Sequence, residues 1–341
     1  MSNLNPSIEP DFKPGPILRN AHFQSIFSSF GLRGVMLRKR FQKYESNQQK
    51  LDLDCGDGVK LVGFYNQAGQ QDASKMAILI HGWEGCHGSS YMLSMASSLL
   101  EQGIDVFRLN LRDHGDTHAL NKGLFNATLL DEVISAVEQI QQRLPHDKNY
   151  LVGFSLGGNF CLRVAANAHD RDIRLEKTIV FCPAIRPIES NNALLEKQNW
   201  LYHQYFIRRW KRSLFKKLVH FPDYEYADSL AGMKNLNEMN NALVPKYTGF
   251  KVDEYFESYA VTGDRLANTI CPCYLHFSRD DMIIPVASVD DLSPTDNVNV
   301  TITDNGGHCG FLLNWKLDSW QDVRVLELIC LLYTSPSPRD S

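Results

Sequence analysis

From residue 76 onward the chain repeats one rhythm: a short apolar run, a loop, then a stretch with apolar residues three and four apart. Met76 to Ile80, Ile104 to Leu109, Tyr150 to Val152, Lys177 to Cys182, Cys273 to Phe277 and Val298 to Ile302 read as buried strands. Tyr91 to Gln102, Leu129 to Leu144, the residues behind Ser155, and Trp315 to about Ile329 read as helices. Such alternation predicts an α/β domain with a mostly parallel sheet and helices on both faces, its reactive groups gathered at the carboxyl ends of the strands. Upstream, Met36 to Tyr44, Lys50 to Asp54 and Lys60 to Tyr65 are grouped as β-prone runs. Cys55-Gly56-Asp57-Gly58 between the last two is a hairpin signal, so the chain should join the sheet antiparallel.

One segment breaks the rhythm. Between Pro183 and about Phe250 there is no clear strand, and Ile207, Trp210, Leu214, Leu218 and Phe221 recur at helical spacing among Arg208, Arg209, Lys211, Arg212, Lys216 and Lys217. An insertion there predicts a helical cap over the strand ends, spanning about 184–250. Its basic side reads either as a solvated face or as one that meets anionic lipid surfaces or substrate headgroups. Residues 1–34 form an arm in which Pro16 to Phe27 packs on the body by its apolar residues, and 35–329 form the main domain. Residues 330–341, with Leu332-Tyr333-Thr334-Ser335-Pro336, resemble a read-through of a sequencing adapter, so the tail and Cys330 are expected to be non-native.

The tightest local signal is Tyr150-Leu151-Val152-Gly153-Phe154-Ser155-Leu156-Gly157-Gly158. Strand gives way to helix across Gly153-Phe154-Ser155-Leu156-Gly157, a turn so sharp that glycine is needed where a Cβ would collide, with the serine hydroxyl left exposed. The following helix aims its first free amides at the serine. A serine hydroxyl needs a base, and the base needs an orienting carboxylate. Both follow in order: Ser278-Arg279-Asp280-Asp281 closes one strand, and Gly306-Gly307-His308-Cys309-Gly310 follows the next. Asp281 is preferred over Asp280 because Asp281-Met282-Ile283-Ile284-Pro285 is how such a loop leaves its strand. Backbone N–H groups of Leu156 and Trp83 are the expected donors to a developing oxyanion, the latter from His81-Gly82-Trp83-Glu84-Gly85. His81 is a rival base, although a histidine opening such a loop more often braces it.

Composition narrows the alternatives. With 341 residues, 43% hydrophobic and 22% charged, the chain can build a large core. A net charge of -4 gives no general reason to expect nucleic acid as a partner. The eight cysteines are scattered, which favours free thiols over a disulfide framework. No signal peptide and no run of about 18 to 20 apolar residues is apparent, so a soluble cytoplasmic protein is expected. His114 and His118 sit four apart, but Gly115 between them argues for a loop rather than a helical metal motif. Cys271 and Cys273 lack zinc spacing, and neither a metal nor a cofactor is expected. Cys86 and Cys309 flank the expected site.

These motifs resemble those of the α/β-hydrolases, and within them the YheT-like branch of bacterial hydrolases and their eukaryotic relatives among esterases and lipases. The resemblance rests on Asn20-Ala21-His22-Phe23-Gln24-Ser25-Ile26, His81 to Gly85, Asn110-Leu111-Arg112-Asp113-His114-Gly115, Gly153 to Asn159, Asp280-Asp281 and Gly306 to Phe311. It implies hydrolysis of small-molecule or lipid carboxylic esters, short- to medium-chain, through an acyl-enzyme with Ser155, Asp281 and His308 as triad. Two other functions fit the same residues: acyl transfer to an alcohol or thiol, and a non-catalytic ligand-binding protein on a hydrolase body.

Overall fold

The computed structural model describes residues 7–8, 12–27, 32–69, 74–314, 316 and 318–330. The expected tail, Cys330 excepted, the outer parts of the arm and Trp315 lie outside the described residues.

The first strand, β1 (Ser7–Ile8), is followed by a 3-10 turn (Pro16–Arg19), α1 (Ala21–Phe27) and α2 (Leu32–Phe41). Met36 to Tyr44 is therefore helical rather than β-prone, and a 3-10 segment (Gln42–Asn47) carries it to the hairpin. Basic residues among apolar ones let this stretch lie as a surface helix on α3 (Ser90–Glu101), where Arg40 pairs with Glu101. The hairpin strands are β2 (Gln49–Asp54) and β3 (Lys60–Asn66), turning through Gly56, Asp57 and Gly58 at positive φ.

The alternating part follows: β4 (Lys75–Ile80), α3 (Ser90–Glu101), β5 (Asp105–Asn110), α4 (Leu130–Arg143), β6 (Lys148–Phe154), α5 (Leu156–Asn167) and β7 (Lys177–Phe181). Among the described residues nine strands make one sheet, completed by β8 (Cys273–Ser278) and β9 (Val298–Thr303), in the order β1-β9-β8-β7-β6-β4-β5-β3-β2. β2 and β3 are antiparallel to their neighbours and the rest are parallel. Interior strands are buried on both faces, which is why they read as continuous apolar runs, whereas edge strand β2 alternates. In α4 the buried set Val133, Ile134, Ala136, Val137 and Ile140 keeps helical spacing, and the opposite side meets solvent.

Between β7 and β8 lie α6 (Pro187–Leu195), α7 (Trp200–His220), α8 (Ala227–Leu230), α9 (Leu236–Thr248) and α10 (Val252–Ser258). This helical insertion runs past residue 250, since Tyr255, Phe256 and Tyr259 stack as an aromatic group with Ala127 against the body. The closing helix α11 (Trp320–Cys330) begins later than the apolar spacing suggested. Among the described residues no helix is long and apolar enough to cross a membrane.

Candidate active site

The turn from β6 to α5 carries Ser155 at φ 53, ψ -121, a conformation that side chains other than glycine adopt rarely. What holds it there is crowding. A Cβ on Gly153 would lie 2.6 Å from the Cys161 sulfur and 2.7 Å from Gly157 O, and one on Gly157 would overlap the carbonyl oxygens of Ile80 and His81. The Ser155 amide also donates to Phe181 O at 2.9 Å, fastening the turn to β7.

Beyond the ends of β8 and β9 the loops carry Asp281 and His308 to the same point. His308 Nε2 lies 3.0 Å from Ser155 Oγ, and His308 Nδ1 lies 2.9 Å from Asp281 Oδ2 and 3.2 Å from Oδ1. A carboxylate only accepts, so Nδ1 carries a proton, and in the neutral ring Nε2 accepts from the serine hydroxyl. Asp281 is fixed in turn by the amides of Ile283 and Ile284, at 2.8 and 3.0 Å. Asp280 points elsewhere and accepts from Gly307 N–H at 2.8 Å, bracing the histidine loop. Burial opposes a charged imidazole, but the Asp281 carboxylate outweighs it, with help from Cys309, and raises His308 to about 9.

The loop after β4 is held amide by amide. Gly82 N–H donates to Tyr91 Oη, Glu84 N–H to His114 Nε2, Gly85 N–H to Gly82 O and Cys86 N–H to Ser89 Oγ. Trp83 N–H is left with no acceptor among the described residues, and so is the first amide of α5, Leu156. A Cβ on Gly82 would sit 3.2 Å from Ser155 Cβ, which shows how closely this loop approaches the serine. His81 is fully buried, its Nδ1 at 2.8 Å from Gly82 O and its Nε2 accepting from Leu111 N–H, with burial lowering it to about 4. It braces the loop. His114 does likewise through Arg112 O, and His118 lies against Ser213 at 2.9 Å. The sulfurs of Cys182 and Cys309 and a His308 nitrogen lie within 4.8 Å of one another. Burial holds the Cys182 thiol well up. Cys309 is drawn down despite its burial, by Cys182 and by the charge on His308.

The insertion roofs the site. Trp83 stacks on Phe206 with centroids 5.1 Å apart and meets Trp210 edge-on at 5.4 Å. Below them opens a cavity of about 1280 Å³ including its mouth, with Ser155 on its wall and Leu156, Phe125, Leu194, Leu243, Val244 and Ile284 among its mainly apolar lining. Glu84 lines it too, and burial raises its carboxyl to about 7. Lys217 does not belong to a solvated basic face: it is 1% exposed and its ammonium donates to Asp113 at 2.6 Å and to the carbonyls of Asn121 and Gly123.

Two residues of the arm, Gln24 and Ser25, sit behind His308. Ser25 Oγ accepts from His308 N–H at 2.8 Å, while fully buried Gln24 accepts from Leu312 N–H at 2.6 Å and donates to Leu312 O at 3.1 Å. The arm thus docks through these polar groups together with buried Phe12 and Leu18, while Ile17 and Ile26 stay exposed. A neighbour of the same arm, His22, meets Tyr202 Oη of α7 at 3.0 Å, and Asn199 donates to Met282 O beside Asp281 at 2.8 Å. No local signal marks these contacts, because they join residues up to 288 positions apart.

The model of the alpha/beta hydrolase fold family matches residues 78–314. The chain is 22% identical over 331 residues to the putative esterase YheT of Escherichia coli, covering 94% of this chain and 93% of that one. It is 22% identical over 324 residues to human phospholipase ABHD3, covering 92% and 79%. Among solved structures it is similar to an esterase of Pyrococcus furiosus, with a TM-score of 0.57 at 16% identity over 86% of this chain and 94% of that one. That likeness shows the fold alone.

Proposed function

The chain belongs to the alpha/beta hydrolase fold family, and from that membership we propose that it is a serine hydrolase of carboxylic esters, short- to medium-chain, working through an acyl-enzyme. The observation that carries this reading is the unbroken hydrogen-bonded line Ser155 Oγ, His308 Nε2, His308 Nδ1, Asp281 Oδ2.

In the acylation step Ser155 Oγ forms a bond to the ester carbonyl carbon as its proton passes to His308 Nε2, and the carbonyl π pair moves onto oxygen. The unpaired amides of Trp83 and Leu156 receive that oxyanion. Collapse breaks the bond to the alcohol oxygen, which leaves with the proton from His308. Water then repeats the sequence, giving the free acid and restoring Ser155. Asp281 keeps the imidazole in the required tautomer and stabilises the imidazolium each time it forms. The apolar cavity beside Ser155 suits the acyl chain, whose burial there is favourable by about 0.8 kcal/mol per CH₂. Relatives bearing the names esterase and phospholipase support a small-molecule or lipid ester as substrate.

A fluorophosphonate probe tests the nucleophile. It labels the wild type and leaves Ser155→Ala unlabelled; equal labelling of both refutes Ser155 as the nucleophile, and labelling of neither favours a ligand-binding body. Nitrophenyl esters of rising acyl length then report how deep the acyl pocket is, and product analysis with added alcohol separates hydrolysis from acyl transfer.

A further inference from the structure

Helix α7 has two unlike faces. Inward, Ile207 and Leu214 are buried, and Phe206, Trp210 and Leu214 line the cavity. Outward, Leu201, Arg208, Arg212, Phe215 and Val219 follow steps of seven, four, three and four, so they share one stripe of the helix. All are exposed, with Leu201 at 60%, Phe215 at 45% and Val219 at 79%. Trp200, 56% exposed, stands at the start of the helix. Single exposed apolar residues mean little. Here three are aligned with arginines along about 27 Å of helix.

The cations of α7 divide in the same way. Lys217 turns inward to Asp113, Arg209 donates to Glu84 O, Lys211 to Ala231 O, and Lys216 pairs with Asp116. Arg208 and Arg212, the two on the stripe, have no protein partner among the described residues. The helix carries no acid at all, in a chain whose net charge is -4.

We propose that this outer face of α7 docks on an anionic lipid bilayer, so that the roof of the cavity lies at the membrane surface and the ester is met there. The inference names where the substrate is found and rests on the hydrolase reading for what happens to it. The physical fit is to an interface: the arginines sit at lipid phosphates while Leu201, Phe215 and Val219 enter the acyl boundary. A nucleic acid would satisfy the arginines but leave the three apolar side chains in water.

The test uses the Ser155→Ala full chain, so that no lipid is consumed, sedimented with vesicles of phosphatidylcholine alone or mixed with phosphatidylglycerol. Binding is expected to the anionic vesicles and to weaken with salt. Each cation at such a surface is worth roughly fivefold in partitioning, so Arg208→Glu with Arg212→Glu should lower it by about 25-fold or more. Leu201→Ser, Phe215→Ser and Val219→Ser together should also lower it by at least about tenfold, with every charge retained. Both sets, built in the Ser155 background, should cleave a water-soluble ester at the wild-type rate, which shows that they fold. Absent vesicle binding, or binding that ignores both sets, overturns the docking. So do tighter binding to duplex DNA than to vesicles, and a dimer in lipid-free solution that the serine substitutions dissociate. If the soluble ester is not cleaved while vesicle binding behaves as described, the hydrolase reading fails and the docking stands.

Discussion

Replacing Asp281 with asparagine tests the electrostatic core of the site. In the wild type the carboxylate raises His308 from 6.5 to about 9 against the opposing effect of burial. That gap corresponds to about 3 kcal/mol in favour of the imidazolium. In the proposed mechanism the imidazolium forms as Ser155 attacks, so removing its stabilisation should slow acylation by at least about 10²-fold, and by as much as about 10⁴-fold when the tautomer is lost as well. The sign of the pH effect follows from the same interaction. A raised histidine keeps its proton to higher pH, and only the neutral ring accepts from serine, so the rate should rise with pH. The assay is the rate of fluorophosphonate labelling across the neutral and alkaline range. The wild-type midpoint should fall between 6.5 and about 9, and that of Asp281→Asn, which loses the carboxylate that outweighs burial, well below the wild type's. An unchanged midpoint and rate in Asp281→Asn would refute the reasoning. So would a larger loss in Asp280→Asn, whose carboxylate serves Gly307 rather than the imidazole.

Other residues supply further tests. Gly157→Ala drives a methyl into the carbonyls of Ile80 and His81, so urea denaturation should show a loss of at least about 1–3 kcal/mol together with lost labelling. Ser25→Ala removes the acceptor for His308 N–H, about 1–2 kcal/mol, and kcat should fall about 5- to 30-fold while KM for a soluble ester is unchanged. Lys217→Met strands the Asp113 carboxylate, which burial already disfavours, so stability to heat or urea should fall by about 3–5 kcal/mol, with Asp113→Asn in the same chain restoring most of it.

The chain itself determined the sheet, the elbow and the order of Ser155, Asp281 and His308, because these are encoded locally. Strands buried on both faces must be apolar runs, and a turn as tight as Gly153 to Gly157 must be built from glycine. Met36 to Tyr44 misled because its weak amphipathicity fits either element until a neighbouring helix covers it. Lys217 misled because it looks like the lysine before it, yet it turns inward to Asp113. Tertiary structure alone decided which amides stay free around Ser155, since Tyr91, His114 and Ser89 take the N–H groups of Gly82, Glu84 and Cys86 and leave that of Trp83. It alone brought Ser25 and Gln24 behind His308. A hydrogen bond is set by where two groups end up, and no residue pattern within a short window records a partner hundreds of positions away.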